Sequence, residues 1–526
     1  MRELPGTWRL TTLKECCDVV MGQSPPGSTY NDEGRGLPFF QGKAEFGSLY
    51  PTIKKWCDSP TKIAEPEDVF ISVRAPVGPT NLCPDRACIG RGLAAIRPRA
   101  GIPPRFVLYF LRASERQISS QATGSTFGAI SGDQLRNQEI PVAPLREQAR
   151  IVAELEKQFT RLDDAVAALK RVQTNLKRYR ASVLKAACEG RLVPTEAELA
   201  RKEGRDYEPA SELLKRILAE RRAKWEADQL QKMIAAGKAP KDDEWKKKYR
   251  EPTPPDTRDI SLIPDGWVIA SMDQLTTSIT SGSRDWSPFY GHGSGTFIMA
   301  QNVRISRLDL SFKQAVDPPK DDISRVRSAI CKNDLLVTIV GANTGDICRV
   351  PSDLPEHYVC QSVSLMRPVL GDLSSFLELY MCSQENGQRQ FRRYIYGAGR
   401  PHLSFDQLRM TAVAVPPLQE LPRIVSEAEK KLSVLDSMHS VIHRQLQYIV
   451  SLRRAVLKNA FEGKLVPQDP NDEPASVLLE RIRAHRASAA ATRNGNQRAT
   501  TDASITKPQR RRRGEKLAQP RQGWER

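Results

Sequence analysis

Several stretches of this chain come close to known chemistry and then depart from it. GLPFFQGK, from Gly36, has the glycines and lysine of a phosphate-binding loop, in which backbone amides cradle phosphate oxygens. It carries one residue too many before Gly42-Lys43, and Ala44 stands where a magnesium-holding hydroxyl belongs. DPPK, from Asp317, opens like the Asp/Asn-Pro-Pro-aromatic motif with which amino-methyltransferases hold a flipped base, but Lys320 replaces the stacking ring. No Gly-rich cofactor turn of the Rossmann kind accompanies it. His439 and His443, spaced i, i+4, put two imidazoles on one helical face, the beginning of a zinc site. HSVIH lacks the glutamate of a zinc hydrolase, and no third ligand lies nearby in sequence. The ten cysteines have no repeating framework, and the closest pairs, Cys16 with Cys17 and Cys83 with Cys88, match no zinc spacing, so they read as reduced thiols. No Ser/His/Asp or Cys/His arrangement can be assigned, and paired carboxylates fall mainly on charged helices, where solvated faces are the default. No metal site or catalytic residue is expected.

What remains is binding. Lys+Arg 80 against Asp+Glu 62 leave a formal charge of +18, an excess that favours a polyanionic partner, with nucleic acid ahead of a membrane surface. No apolar run approaches the roughly 18 residues of a membrane helix, and MRELPGTWRL lacks the apolar stretch of a signal peptide, so a soluble, cytoplasmic protein is expected. At 526 residues the chain exceeds what one core supports, and three or more structural units are the prior.

The elements that must position any binding residues are set by an internal repeat. At a constant offset of 273, Ser131 to Pro194 matches Ser404 to Pro467 without a gap, with 28 identities in 64 positions. DQLR recurs (Asp133 to Arg136, Asp406 to Arg409), as do Pro144-Leu145 with Pro417-Leu418 and Arg150-Ile151-Val152 with Arg423-Ile424-Val425, and the segments close on EGRLVP and EGKLVP. Upstream the likeness thins: GTWRLTTL pairs with DGWVIASM, and IRP at Ile96 with MRP at Met366. Downstream, Glu208-Pro209-Ala210-Ser211 answers Glu473-Pro474-Ala475-Ser476.

Both preserved segments read as long helices. Leu155, Leu162, Leu169, Leu176 and Val183 fall every seven residues with Phe159 and Val166 between them; the second copy has Ala428, Leu435, Ile442, Ile449 and Val456, with Leu432 and Leu446. Pro144, Pro417 and Pro422 suit helix starts and Gly190 and Gly463 suit stops, which gives helices of about 40 residues, or roughly 60 Å. A helix of that kind cannot bury its stripe alone. Pairing of the two copies is the economical solution; packing of each stripe on its own neighbouring domain is the alternative. Gln173, Arg180, His439 and Arg453 occupy seam positions, where polar groups set register at a cost in stability.

The diverged portions carry short β-rich runs, DVFISV (Asp68 to Val73) and DLLVTIV (Asp334 to Val340), each followed by a Gly/Pro/Asn-rich loop, RAPVGPTN or GANTGD. They read as mixed α/β globules. SELLKRILAERRAKWEADQL has Leu213, Leu214, Ile217, Leu218 and Trp225 at helical spacing, then the Pro-rich EPTPPD, hence an amphipathic helix and a linker. Beyond Arg486 the tail is polar and includes Arg510 to Arg513, a composition that favours disorder.

In combination these motifs resemble the specificity subunit of Type I restriction-modification systems. The likeness covers about residues 1 to 485 and rests on GTWRLTTL and DGWVIASM, SVRAPVGPT with IGRGLAAIRP, TIVGANTGD with QSVSLMRP, APLREQARIV with PPLQELPRIV, and both EG(R/K)LVP endings. The resemblance implies an α+β chain in which two mixed α/β target-recognition domains, residues 1–143 and 259–416, are separated by two long antiparallel coiled-coil helices, 144–190 and 417–463, with pseudo-twofold repetition. Residues 191–258 then form a helical segment and linker, 464–485 a C-terminal helical segment, and 486–526 a basic tail. It further implies a non-catalytic chain that binds no cofactor. It reads a split, asymmetric double-stranded DNA target, one half-site per domain. Two modification subunits carrying S-adenosylmethionine methylate adenine at N6, and restriction subunits driven by ATP and Mg2+ join them. Candidate DNA contacts are basic or amide side chains on domain loops: Lys43, Arg74 and Arg91 in the first, and Arg304, Asn343, Gln361, Arg400 and His402 in the second. GSTFGAIS near Ser125 departs from GAGRPHLS at Gly397, so that loop's role is not carried into the first half. A single-chain DNA methyltransferase or endonuclease, and a pseudo-dimeric transcriptional repressor, are the alternatives.

Overall fold

The computed structural model describes residues 4–123, 128–238, 240, 242–260, 262–283, 285–320 and 323–502. Helices and strands are mixed along its length. The chain divides into two compact units, Met1–Ala168 with Gln445–Arg526, and Leu169–Arg444.

The sequence repeat becomes a repeat of topology. In the first unit Arg9–Thr12 pairs antiparallel with Glu139–Val142. Beside it an antiparallel sheet runs in the order Cys17–Met21, Leu93–Pro98, Val69–Ser72, Thr80–Leu82. In the second unit Val268–Ser271 pairs with Ala412–Val415, and the sheet order is Thr276–Ser281, Val363–Pro368, Leu335–Thr338, Ile347–Arg349. DVFISV and DLLVTIV supply the strands Val69–Ser72 and Leu335–Thr338; all their residues are buried, which is why they read as unbroken apolar runs and not as alternating ones. The helices Pro104–Ser120 and Ser374–Cys382 close over the sheets, burying Phe106 and Phe110 in one core and Phe376 and Tyr380 in the other.

One charged group is buried at the head of each of these strands. Asp68 accepts from Arg97 Nε and Nη2, both at 2.8 Å, and from the Glu65 amide at 2.9 Å. Asp334 accepts from Arg367 Nε at 2.8 Å and Nη2 at 2.7 Å, and from the Cys331 amide at 2.7 Å. The arginines are those of the IRP and MRP motifs.

The remaining strands differ between units. The first has a five-stranded sheet containing Leu37–Phe40 parallel to Ala87–Ile89. The second has a three-stranded sheet built on Tyr290–Ile298, parallel to His357–Val359.

Two long helices, Leu145–Cys188 and Leu421–Phe461, have 44 and 41 residues, and each contributes to both units. In the first unit Leu155 and Phe159 share a core with Val456, Leu457 and Ala460; Arg453 forms an ion pair with Asp163 and sits 5.3 Å from the Phe159 ring centroid. In the second, Gln173 Nε2 lies 3.3 Å from His439 Nε2 and Arg180 pairs with Asp436, contacts that advance along one helix as they retreat along the other. The polar residues of the seam are therefore partnered across the helices. Leu155, Val183, Leu435, Ile442, Ile449 and Val456 are buried, and Leu162, Leu169 and Leu176 are half-buried. Part of each stripe also packs on the adjoining domain core, with Ile151 and Leu155 in one and Ile424 and Ala428 in the other.

The helices stop as their glycines demand. Gly190 and Gly463 have φ of +64° and +70°, and the next amides reach back, Arg191 to Ala186 O at 2.8 Å and Lys464 to Asn459 O at 2.9 Å. After each stop the EPAS segment docks on the start of a domain: Ala210 N donates to Gly266 O at 2.7 Å and Ala475 N to Thr7 O at 2.9 Å. The amphipathic stretch forms the helix Ala210–Ala235, and EPTPPD after it has neither helix nor strand. The last helix is Ala475–Asp502; Arg510 to Arg513 lie outside the described residues. No helix among the described residues is long and apolar enough to cross a membrane.

Candidate nucleic-acid interface

Each domain begins with a tryptophan tied to the start of a long helix, Trp8 to Glu147 in the first turn of one and Trp267 to Glu420 just before the other. Trp8 Nε1 donates to Glu147 Oε2 at 3.0 Å, and Trp267 Nε1 donates to Glu420 Oε1 at 3.2 Å. Burial pushes both glutamates above the ordinary carboxylate range, and these hydrogen bonds pull them part of the way back. Glu147 and Glu420 stand at the repeat offset of 273, so the same joint is built twice. The joint ties the start of each globule to a long helix at a point away from the loops at the sheet ends.

In the first unit those loops are fastened by backbone hydrogen bonds. Val73 N donates to Gly92 O at 2.9 Å, Gly90 N to Phe40 O at 2.8 Å, Leu93 N to Gly90 O at 3.0 Å and Ile130 N to Val73 O at 3.0 Å. This lattice brings Lys43, Arg74 and Arg91 together around one cleft of about 270 Å³, which Ser24, Gln41 and Ser72 also line. All three cations are exposed, and the cleft has no acidic lining residue. Three cations on a polar surface concentrate positive potential where an anion is accepted without desolvating a fixed carboxylate.

The second unit fastens its loops in the same way, with Ile339 N to Ser362 O at 2.9 Å, Cys360 N to Ile298 O at 2.9 Å, Val363 N to Cys360 O at 3.1 Å and Leu403 N to Ile339 O at 2.9 Å. Asn343, half-buried, lies in the GANTGD turn, whose Gly341 N donates to Pro401 O at 3.1 Å. Gln361 and Arg400 are exposed. His402 is half-buried, bonded through Nδ1 to Tyr396 Oη at 2.9 Å, and its backbone bridges Tyr396 and Val340, so it braces the hairpin that presents Arg400. Arg304, on the short strand Val303–Arg304, is half-buried, and its charge acts on Asp309 and Asp346. Burial raises Asp346 above the ordinary carboxylate value, and Arg304 opposes that rise.

The near-miss motifs are accounted for locally. The Gly42 amide, which a phosphate loop would aim at its ligand, donates instead to Glu45 Oε2 at 2.9 Å. DPPK follows the strand Gln314–Val316, and Asp317 N donates to Phe289 O at 3.2 Å. Among the described residues no cluster of three His, Cys, Asp or Glu is placed to hold a metal ion. The ten cysteines are free thiols, of which Cys331 alone is exposed.

Two features escaped the sequence reading. The Trp–Glu joints join residues 139 and 153 positions apart, and no local pattern links them. The hairpin at GAGRPHLS has a backbone counterpart in the first unit: Ala129 bridges Thr123 and Arg74 as His402 bridges Tyr396 and Val340. Ala129 stands at the repeat's own offset from His402, whereas residues 124–127 of GSTFGAIS lie outside the described residues.

Residues 5–172 match the Type I restriction modification DNA specificity domain. Over 91% of its length the chain is 22% identical to the Type I restriction enzyme EcoBI specificity subunit of Escherichia coli, 93% of which is covered. The chain is thus similar to Type I restriction enzyme specificity subunits, and residues 5–172 carry the match to the DNA specificity domain. A segment of 193 residues, 36% of the chain, is 36% identical to the putative type I restriction enzyme MjaX specificity subunit of Methanocaldococcus jannaschii; that match spans 44% of the relative. A third of the chain (32%) also aligns with 41% of the crystal structure of the HsdS subunit from Thermoanaerobacter tengcongensis at 52% identity, with a TM-score of 0.29. The residues that match the DNA specificity domain include the whole cationic cleft of Lys43, Arg74 and Arg91.

Proposed function

We propose that the chain reads a bipartite, asymmetric double-stranded DNA target, with residues 1–143 contacting one half-site and residues 259–416 the other. The helices 144–190 and 417–463 act as an antiparallel coiled-coil spacer that sets the unread gap. Residues 191–258 and 464–485 tie each helix end to a domain start, and 486–526 form a basic tail. Lys43, Arg74, Arg91, Asn343, Gln361 and Arg400 reach DNA, with Arg304 and His402 in supporting positions. One observation carries this reading: the same antiparallel sheet, loop lattice and Trp–Glu joint occur twice in one chain, while the exposed loop side chains differ. A twofold frame with unlike tips fits a target of two unlike halves, as dimeric DNA readers fit palindromes.

The complex acts in the cytoplasm. The chemistry belongs to partners, with two modification subunits binding S-adenosylmethionine and methylating adenine at N6, joined by restriction subunits that use ATP and Mg2+. The preserved helices give two copies of one partner equivalent surfaces. Neither a single-chain methyltransferase or nuclease nor a repressor finds support among the matched families.

Methylation-sensitive sequencing of host DNA, compared with a strain lacking this gene, tests the reading. Loss of adenine methylation at a single two-part, asymmetric motif is the expected result. An unchanged methylation pattern in a host whose modification genes are expressed contradicts it.

A further inference from the structure

Gly90-Arg91-Gly92-Leu93 and Cys360-Gln361-Ser362-Val363 are one turn built twice. Each is closed by the fourth residue's amide on the first residue's carbonyl, at 3.0 Å and 3.1 Å. Each is held on one flank by the amide of its first residue on a strand end, Gly90 N to Phe40 O at 2.8 Å and Cys360 N to Ile298 O at 2.9 Å. The other flank receives the amide of the residue that follows strand Val69–Ser72 or Leu335–Thr338, Val73 N to Gly92 O and Ile339 N to Ser362 O, both at 2.9 Å. Each turn then leads directly into the matching sheet strand, Leu93–Pro98 or Val363–Pro368. Arg91 and Gln361 therefore occupy the same corner of the same frame. Both are exposed, and among the described residues neither side chain has a hydrogen-bond or ion-pair partner.

A side chain held on a rigid turn but left unpaired is poised for a ligand group. The two side chains differ in what they match. The arginine fork donates two parallel hydrogen bonds and suits guanine O6 and N7; the glutamine amide donates one and accepts one and suits adenine N6 and N7. Resting on the DNA-reading function proposed above, we infer that this turn position is a base-reading position in both domains. Arg91 selects a guanine in the half-site of the first domain, and Gln361 selects an adenine in the half-site of the second. Lys43 and Arg74, which share the cleft with Arg91, hold the flanking backbone phosphates.

The test is selection of bound duplexes from a randomised DNA library by the full chain, carried out with the unsubstituted protein and with Arg91→Gln and Gln361→Arg. The unsubstituted chain is expected to enrich a two-part motif. Arg91→Gln changes one position of one half-site from guanine to adenine, shifting a preference of about tenfold or more. Gln361→Arg makes the reverse change at one position of the other half-site. Motifs unchanged by both substitutions overturn the inference and make these positions phosphate contacts, with Arg91→Gln weakening binding on all sequences and lowering the salt dependence by about one charge, and Gln361→Arg doing the reverse. Enrichment of no motif by the unsubstituted chain overturns the DNA-reading function, and this inference with it.

Discussion

Asp334→Ala is expected to destabilise the second unit by about 2–4 kcal/mol, and Asp68→Ala to do the same to the first. Removing one partner of a buried ion pair costs about 3–5 kcal/mol, because the remaining charge is left without compensation. Here Arg97 and Arg367 are 40% and 38% exposed while the aspartates are at 2%, so the orphaned guanidinium reaches water and the cost shifts to the lower end of that range and below it. The Glu65 and Cys331 amides lose an acceptor as well. Replacing both members, Asp334→Leu with Arg367→Met, is expected to recover most of the loss, since a buried pair exchanged for apolar groups is often neutral. Denaturant midpoints of the full chain measure both. Equal stability for Asp334→Ala and the unsubstituted protein would mean that the pair contributes nothing.

The second large effect concerns affinity. Lys43→Ala, Arg74→Ala and Arg91→Ala combined are expected to weaken DNA binding about a hundredfold or more. One arginine–base hydrogen-bonded pair is worth about 1–3 kcal/mol, and removing the two phosphate-binding cations lowers affinity on every sequence. The slope of log affinity against log salt should become shallower by about 0.9 for each phosphate that is no longer neutralised. These side chains are exposed and stabilise no core, so the melting temperature should hold within a degree or two. Binding isotherms at several salt concentrations, with a thermal melt as control, decide the matter. Unchanged affinity with an unchanged salt slope would remove the cleft from the interface.

The repeat carried most of what was legible. The seven-residue spacing of Leu155 to Val183 corresponds to buried and half-buried positions along one helix. The stops at Gly190 and Gly463 were visible because a left-handed residue is chemically conspicuous. The paired motifs DVFISV with IRP and DLLVTIV with MRP held the two Asp–Arg pairs in plain view, but a charge at a strand head does not announce that it is buried.

The proposed recognition surface was less legible, for a geometric reason. Arg91 and Gln361 are 270 positions apart, Val73 and Ile339 are 266 apart, and Phe40 and Ile298 are 258 apart. Loops of unequal length therefore shift the register among the residues that converge on one turn. Composition identifies such residues as basic or amide, but only the backbone lattice shows which of them answer one another. His402 illustrates the converse. Its residue type marked it as a candidate DNA contact but did not show that its ring is also bonded through Nδ1 to Tyr396 within the hairpin.

We propose that the long helices act as the spacer between two unlike half-site readers. This is tested most directly by lengthening the spacer. One helical turn of about four residues, about 5.4 Å of rise, would be added after Leu169 and after its repeat counterpart Ile442. Target motifs would then be compared by methylation mapping in cells that also express the modification subunits. The account predicts the same bases in both half-sites and a gap wider by one or two base pairs. Altered half-site bases with the original gap would contradict it.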